Sequence, residues 1–123
     1  MIELAKDLLF TRPDGSSHKS KIVLCYDYQD DDHSDFLDIL HRDELEKYKS
    51  LPSIKAKNNF LLGRFCAKKA IDSFAKINHP SEILVTNGVF GQPIIHHPSI
   101  NNLQVSIAHS DKMAIAVVFE ERH

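Results

Sequence analysis

Apolar and polar residues alternate most regularly in the last quarter of the chain. Leu103, Val105, Ile107 and His109 share one face of a period-two pattern, with Gln104, Ser106, Ala108 and Ser110 on the other, which predicts a strand over Leu103 to Ser110. Met113 to Phe119 predicts a further strand, and Asp111-Lys112 between them is a hairpin-sized connection. Upstream, Glu82 to Thr86 and Pro93 to His96 predict short strands, with Asn87-Gly88 as a turn. Lys21 to Tyr28 is rich in β-formers and ends in the acidic, turn-like run Gln29 to Asp35. Residues 1–20 hold a short apolar start and then Arg-Pro-Asp-Gly-Ser-Ser, a turn and flexible connection, so this segment is left without a defined element.

Two segments carry a helical period. Phe36 to Ser50 is helical, with a possible break into two pieces, and Leu51-Pro52-Ser53 supplies a stop and then a cap. The main helix runs from about Ile54 to Ile77. Plotted at about 100° per residue, Phe60, Leu62, Gly63, Cys66, Ala67, Ala70, Ile71, Phe74 and Ile77 form a broad core face. Lys68, Lys69, Asp72 and Lys76 fall on the other side. Leu61 and Phe65 lie among those lysines, where either a second layer or a partner must cover them. Asn78-His79-Pro80 ends the helix. The expected fold is α+β, one long helix packed on a small, mainly antiparallel sheet.

Composition narrows the class. At 123 residues and 42% hydrophobic, the chain is expected to form a single domain over 1–123 with a real core. No apolar run approaches the roughly 20 residues that span a bilayer, and the start lacks a basic segment followed by an apolar block, so a cytoplasmic protein with no membrane partner is expected. Cys25 in a strand and Cys66 in a helix lack metal-ligand spacing and read as buried thiols.

Net charge is only −2, but it is segregated along the chain. Asp27 to Glu46 carries nine Asp or Glu against Arg42, and Lys47 to Lys76 carries eight Lys or Arg against Asp72. Such a run is either a solvated helix face or a place to receive an anion. Lys55 and Lys57 stand near a helix start, where free N–H groups and the helix dipole also favour a negative ligand such as phosphate. His109 extends an apolar row, as a core histidine with a satisfied hydrogen bond does, or serves a ligand beside the Gly91-Gln92-Pro93 corner.

Other chemistries find no support. The chain has no Walker-type loop, no dinucleotide-binding glycine fingerprint and no Gly-x-Ser-x-Gly elbow. Adjacent strand residues point to opposite faces, so His96-His97 does not form a chelating pair. Asp30-Asp31-Asp32 lacks the alternating spacing of a calcium loop and reads as a solvated loop. The lysines lack interleaved exposed aromatics, which argues against nucleic acid as a partner.

Five pieces in order carry a resemblance: Phe60-Leu-Leu-Gly-Arg64, Ala67-Lys-Lys-Ala70, Ile83-Leu-Val85, Phe90-Gly-Gln-Pro93 and Val105-Ser-Ile-Ala-His-Ser110. From roughly Leu45 to Glu120 the chain resembles the N-terminal half of surfactin-synthetase-type 4'-phosphopantetheinyl transferases. The resemblance implies half of a pseudo-two-fold fold, with coenzyme A bound between two halves. Its phosphopantetheine passes to a serine of an acyl or peptidyl carrier protein. Lys55, Lys57, Gln92 and His109 are the positions implied to contact coenzyme A phosphates, with Asn59 at a position where many relatives carry Arg. Relatives also carry Lys where Gln92 stands and Ser where Ala108 stands, and each change removes a charge or hydrogen bond to phosphate.

The Gly-Ile-Asp-x-Glu segment that brings magnesium ligands in the family, and the Glu and Lys that complete its site and act as base, are not found in this chain. No residue here is therefore expected to be catalytic or to bind metal, and the chain alone is expected not to catalyse transfer. One expectation is a split or excised transferase half, completed by a C-terminal half that docks on the exposed edge of the Met113 to Phe119 strand and on Leu61 with Phe65. The alternative is a non-catalytic binding or scaffolding domain in a synthase complex.

Overall fold

The structure, a computed structural model, describes residues 2–26, 34–110 and 112–120. Its strands are β1 (Ile2–Thr11), β2 (Ser17–Tyr26), β3 (Leu84–Asn87), β4 (Pro93–His96), β5 (Leu103–Ser110) and β6 (Met113–Glu120). Its helices are α1 (Arg42–Ser50) and α2 (Ile54–Ala75), with short 3-10 turns at Ser34–Ile39 and Pro80–Glu82. Glu82, expected to open a strand, thus belongs to the turn before β3. The expected acidic turn at Gln29 to Asp35 and the Asp30-Asp31-Asp32 loop fall largely or wholly outside the described residues, as does Asp111 of the β5–β6 connection.

Strands β1, β2, β6 and β5 form an antiparallel sheet in that order, and β3 pairs with β4 in a separate hairpin. This matches the α+β architecture that the alternating patterns predict. Helix α2 lies across β6, β2 and β5. Val23, Cys25, Val105, Ala114, Ala116 and Val118 supply the sheet side of the core, and Leu62, Cys66, Ala67, Ala70 and Ile71 the helix side. Ala114 and Ala116, both fully buried, let α2 approach the middle of the sheet closely. Cys66 donates from Sγ to the Val23 carbonyl at 2.9 Å, and both cysteines are buried free thiols as expected.

The first twenty residues are not a loose lead-in. β1 pairs with β2 along its whole length, from Ile2 opposite Tyr26 to Thr11 opposite Ser17. Gly15, at φ +86°, and Asp14, whose Oδ1 accepts from Ser16 N at 2.8 Å and Ser16 Oγ at 2.7 Å, close the hairpin. These hydrogen bonds to Ser16 hold the Asp14 carboxyl below its ordinary pKa. The strand escapes a pattern search because α2 does not cover it: Leu4 and Leu9 are both mostly exposed. Without a buried face there is no alternation to read, and the backbone ladder alone carries the pairing.

Two further expectations are corrected. β6 is an interior strand, paired with β2 on one side and β5 on the other, so it presents no edge for a second half. Leu61 and Phe65 are buried rather than exposed, 1% and 7% respectively. The layer over them belongs to the same chain: the Phe36 ring meets Phe65 edge-on at 5.1 Å, and Lys69 Nζ sits 5.5 Å from the Phe65 ring centre. The break foreseen in the Phe36 to Ser50 segment is real, with His41 as the N-cap of α1 and Glu44 completing a capping box. Ser53 caps α2, accepting from Ala56 N at 3.1 Å. That helix stops at Ala75, two residues early, because Lys76 and Asn78 take left-handed φ angles of 57° and 69°.

Lys68, placed by its helical angle among solvated lysines, is fully buried. Its Nζ donates to the carbonyls of Ile39 at 3.0 Å, Pro80 at 3.1 Å and Ile83, and pairs with Glu44 Oε1. One ammonium thus ties both 3-10 turns, α1 and α2 together. Burial outweighs the pull of Glu44 and lowers the Lys68 pKa. Among the described residues, no helix is long and apolar enough to cross a membrane.

Candidate functional site

A cleft of about 260 Å³ opens between the N-terminal half of α2, the β3–β4 turn and the end of β5. Helix α2 contributes Asn59, Phe60, Gly63 and Arg64; the hairpin contributes Asn87, Gly91 and Pro93; β5 contributes Ile107 and His109. The wall at Gly91 is a tight turn, in which Gly88 N donates to Gln92 O at 2.6 Å and Gly91 N to Gly88 O at 2.9 Å. Gly91 has φ +81° and nothing within 4 Å of a Cβ built on it, so its requirement is conformational and not spatial. Gly91→Ala is therefore expected to cost roughly 1 kcal/mol of stability through backbone strain. Urea denaturation of the variant checks this. Val89 and Phe90 leave the same turn almost wholly exposed.

Alternation places His109 on the helix-covered face, and the structure adds why it is not a core residue. Its ladder partner is Ala114, on the buried row of β6, yet the row ends there and the ring is exposed at the mouth of the cleft. Gly63 lets the ring lie close to α2: a Cβ at residue 63 would stand 3.6 Å from His109 Cδ2 and 3.7 Å from Ile107 Cγ2. A larger side chain would fill the cleft floor. Asn59, one turn before Gly63, lines the same space, so Asn59 and His109 are brought together.

The other expected contacts are placed differently. Gln92 does not line this cleft. Its Oε1 accepts from Phe90 N at 2.9 Å, and its amide packs so tightly over Gly88 that a Cβ there would meet Nε2 at 2.5 Å. Its side chain therefore braces the turn and borders a neighbouring hollow with Pro93 and Ile94. Lys57 lies over the Tyr48 ring at 5.7 Å, toward α1. Lys55 stands one turn before Asn59 on the same helical face, outside the cleft lining.

Arg64 is the cation that the sequence reading left without a role. Its side chain is 12% exposed, its Nε lies 3.5 Å from Glu44 Oε2, and its guanidinium stacks 4.9 Å from the Phe60 ring centre. Nε is buried without a hydrogen bond of good geometry. Burial lowers the Arg64 pKa, with Glu44 acting in the opposite sense, and the group stays charged. Arg64 also lines a second cavity, of about 310 Å³, bordered by Asp43, Glu44 and Lys47. The available signal was a lone arginine next to a glycine on an otherwise apolar helix face.

The cleft lining thus offers a guanidinium, an imidazole and the amides of Asn59 and Asn87, and no carboxylate. Such a set suits an anion, and phosphate oxygens in particular. Among the described residues, no group of three or more His, Cys, Asp or Glu is arranged to hold a metal ion. His96 and His97 go to different partners: His96 Nε2 pairs with Thr86 Oγ1 at 2.8 Å, and His97 Nδ1 accepts from Ser99 N at 3.0 Å.

No protein-family model matches the chain. It is 35% identical over 86 residues to a holo-[acyl-carrier-protein] synthase of Lactococcus lactis subsp. lactis (strain IL1403), covering 65% of this chain and 72% of the relative. The corresponding synthase of Lactococcus lactis subsp. cremoris (strain SK11) is 34% identical over the same length and coverage. A solved holo-(acyl-carrier-protein) synthase from Bacillus anthracis str. Ames, in complex with CoA (3',5'-ADP), superposes with a TM-score of 0.61 at 29% identity, covering 72% of this chain and 82% of that one. The fold also matches the holo-[acyl-carrier-protein] synthase of Neisseria meningitidis, with a TM-score of 0.58 at 22% identity over the same shares. These relatives are 4'-phosphopantetheinyl transferases of the holo-synthase type, a different branch from the surfactin-type half that the motifs suggest. The chain belongs to the family of holo-[acyl-carrier-protein] synthases.

Proposed function

We propose that this chain binds coenzyme A in the α2–β5 cleft and takes part in moving phosphopantetheine onto a carrier-protein serine. The observation that carries the reading is the convergence of Arg64 and His109 on one cleft walled by the Gly91 turn. In the transfer, the serine oxygen bonds to the phosphorus nearer pantetheine, the pyrophosphate bridge breaks, and 3',5'-ADP leaves with the electron pair. Arg64 and His109 hold phosphate oxygens and offset the charge that grows on the leaving group. Asn59 adds an amide donor, and Lys55 contributes a cation at the helix start. Lys57 and Gln92 act indirectly, through the packing of α1 on α2 and the shape of the turn. The chain acts in the cytoplasm on an acyl or peptidyl carrier protein.

Magnesium does not fit this donor set, because none of the cleft's lining residues is a carboxylate. The acidic ligands and the base come from another polypeptide segment. The aligned stretch is 72% of the relative, so the relative is itself close in length to this chain. The same lack of carboxylates supports a second reading, a domain that binds coenzyme A without catalysing.

Incubating the chain with coenzyme A, an apo carrier protein and magnesium, then weighing the carrier protein by mass spectrometry, tests both readings. No modification is expected from this chain alone, and modification is expected once a polypeptide bearing the acidic segment is added. Coenzyme A binding with no modification in any mixture favours the binding domain. No binding at all contradicts both.

A further inference from the structure

Glu44 holds more partners than its place on a surface helix requires. Its side chain is 2% exposed. Oε1 accepts from His41 N at 2.8 Å and pairs with Lys68; Oε2 accepts from Val85 N at 3.3 Å and lies 3.5 Å from Arg64 Nε. One carboxylate therefore meets α1, β3 and two successive turns of α2.

The charges do not cancel. One carboxylate faces an ammonium and a guanidinium, leaving a surplus positive charge in a largely buried cluster. Asp43 and Lys47, which border the adjoining cavity, offset each other. Lys68 cannot present the surplus to a ligand, because it is fully enclosed by three carbonyls and Glu44. Arg64 can, because its side chain lines both cavities. An uncompensated buried charge is costly, and an incoming anion relieves that cost.

We propose that Glu44 is a positioning residue for the phosphate grip: it fixes Arg64 where the two cavities meet, and Lys68 neutralises Glu44 so that the guanidinium charge remains available to the ligand. The proposal rests on the assignment of the cleft to coenzyme A. Glu44 itself does not touch the ligand. Its effect on binding must therefore pass through Arg64, which separates it from a residue that only supports the fold.

Calorimetric titration of coenzyme A into the wild type, Glu44→Gln, Arg64→Ala and the double variant tests this. Glutamine keeps one acceptor oxygen, enough for either the His41 or the Val85 amide, and turns its NH2 toward the other. Glu44→Gln is expected to weaken binding about tenfold and Arg64→Ala at least as much, while the double variant binds no more weakly than Arg64→Ala. Losses that multiply, or a Glu44→Gln protein that binds like the wild type, overturn the positioning role while leaving the cleft assignment standing. Arg64→Ala binding like the wild type overturns the role of Arg64 in the cleft and the proposal with it. Should Glu44→Gln not fold, Glu44→Asp keeps the charge but withdraws it from Arg64. Its Arg64 Nε–H resonance, followed by NMR as 3',5'-ADP is added, is expected to shift less than in the wild type. An identical response contradicts the proposal.

Discussion

Lys68→Met is expected to lower the unfolding free energy by about 3–5 kcal/mol, the usual result of removing one partner from a buried charge pair. Methionine fills the volume but leaves the Ile39, Pro80 and Ile83 carbonyls without their shared donor, and Glu44 with Arg64 as its remaining charge partner. A domain of this size is stable by about 5–15 kcal/mol, so the loss is a large share of the total. The midpoint of urea denaturation should fall at an unchanged slope. The pH dependence reports a different quantity, the cost of burying the charge. Burial lowers the Lys68 pKa in the folded state, so the unfolded chain binds that proton more tightly. Stability from this group therefore rises as pH climbs through the lowered value toward the ordinary lysine value of about 10.4, and falls as pH drops. Lys68→Met should lack that rise. A variant as stable as the wild type would show that the ammonium is not the tie between the turns and the helices.

The same residue marks the limit of what the sequence reveals. β5, β6 and α2 are legible because one face of each is buried, and burial imposes a period of two or 3.6. β1 has no covered face among its described side chains and so carries no period, although its ladder is complete. Lys68 fails for another reason. Its neutralising groups come from Ile39, Glu44, Pro80 and Ile83, and a helical wheel contains none of them. Phe65 was misplaced with it, because the layer that covers both is a 3-10 turn whose packing the local pattern does not encode.

At the site, the sequence supplied the corner at Gly91, Asn59 and His109, which do share a cleft. It grouped Lys55 with Lys57, which stand on opposite sides of the helix, about 200° apart, and it sent Gln92 toward a ligand where the fold uses its amide to brace the turn. Arg64 went unassigned because its role depends on Glu44, twenty residues earlier in the chain. Residue type signals the chemistry, whereas only packing decides which of several cations reaches the cavity.

His109→Ala carries the second large expectation. The residue is exposed at the cleft mouth, so folding should be little changed. A hydrogen bond from imidazole to a charged phosphate contributes about 1.5–3 kcal/mol, which corresponds to a loss of affinity of roughly tenfold to a hundredfold. Calorimetric titration of coenzyme A into the wild type and into His109→Ala at matched pH and salt reads this directly. The account predicts measurable binding by the wild type and a loss of that size in a variant with unchanged denaturation behaviour. Equal affinity in the two proteins would contradict the assignment of the cleft to coenzyme A phosphate.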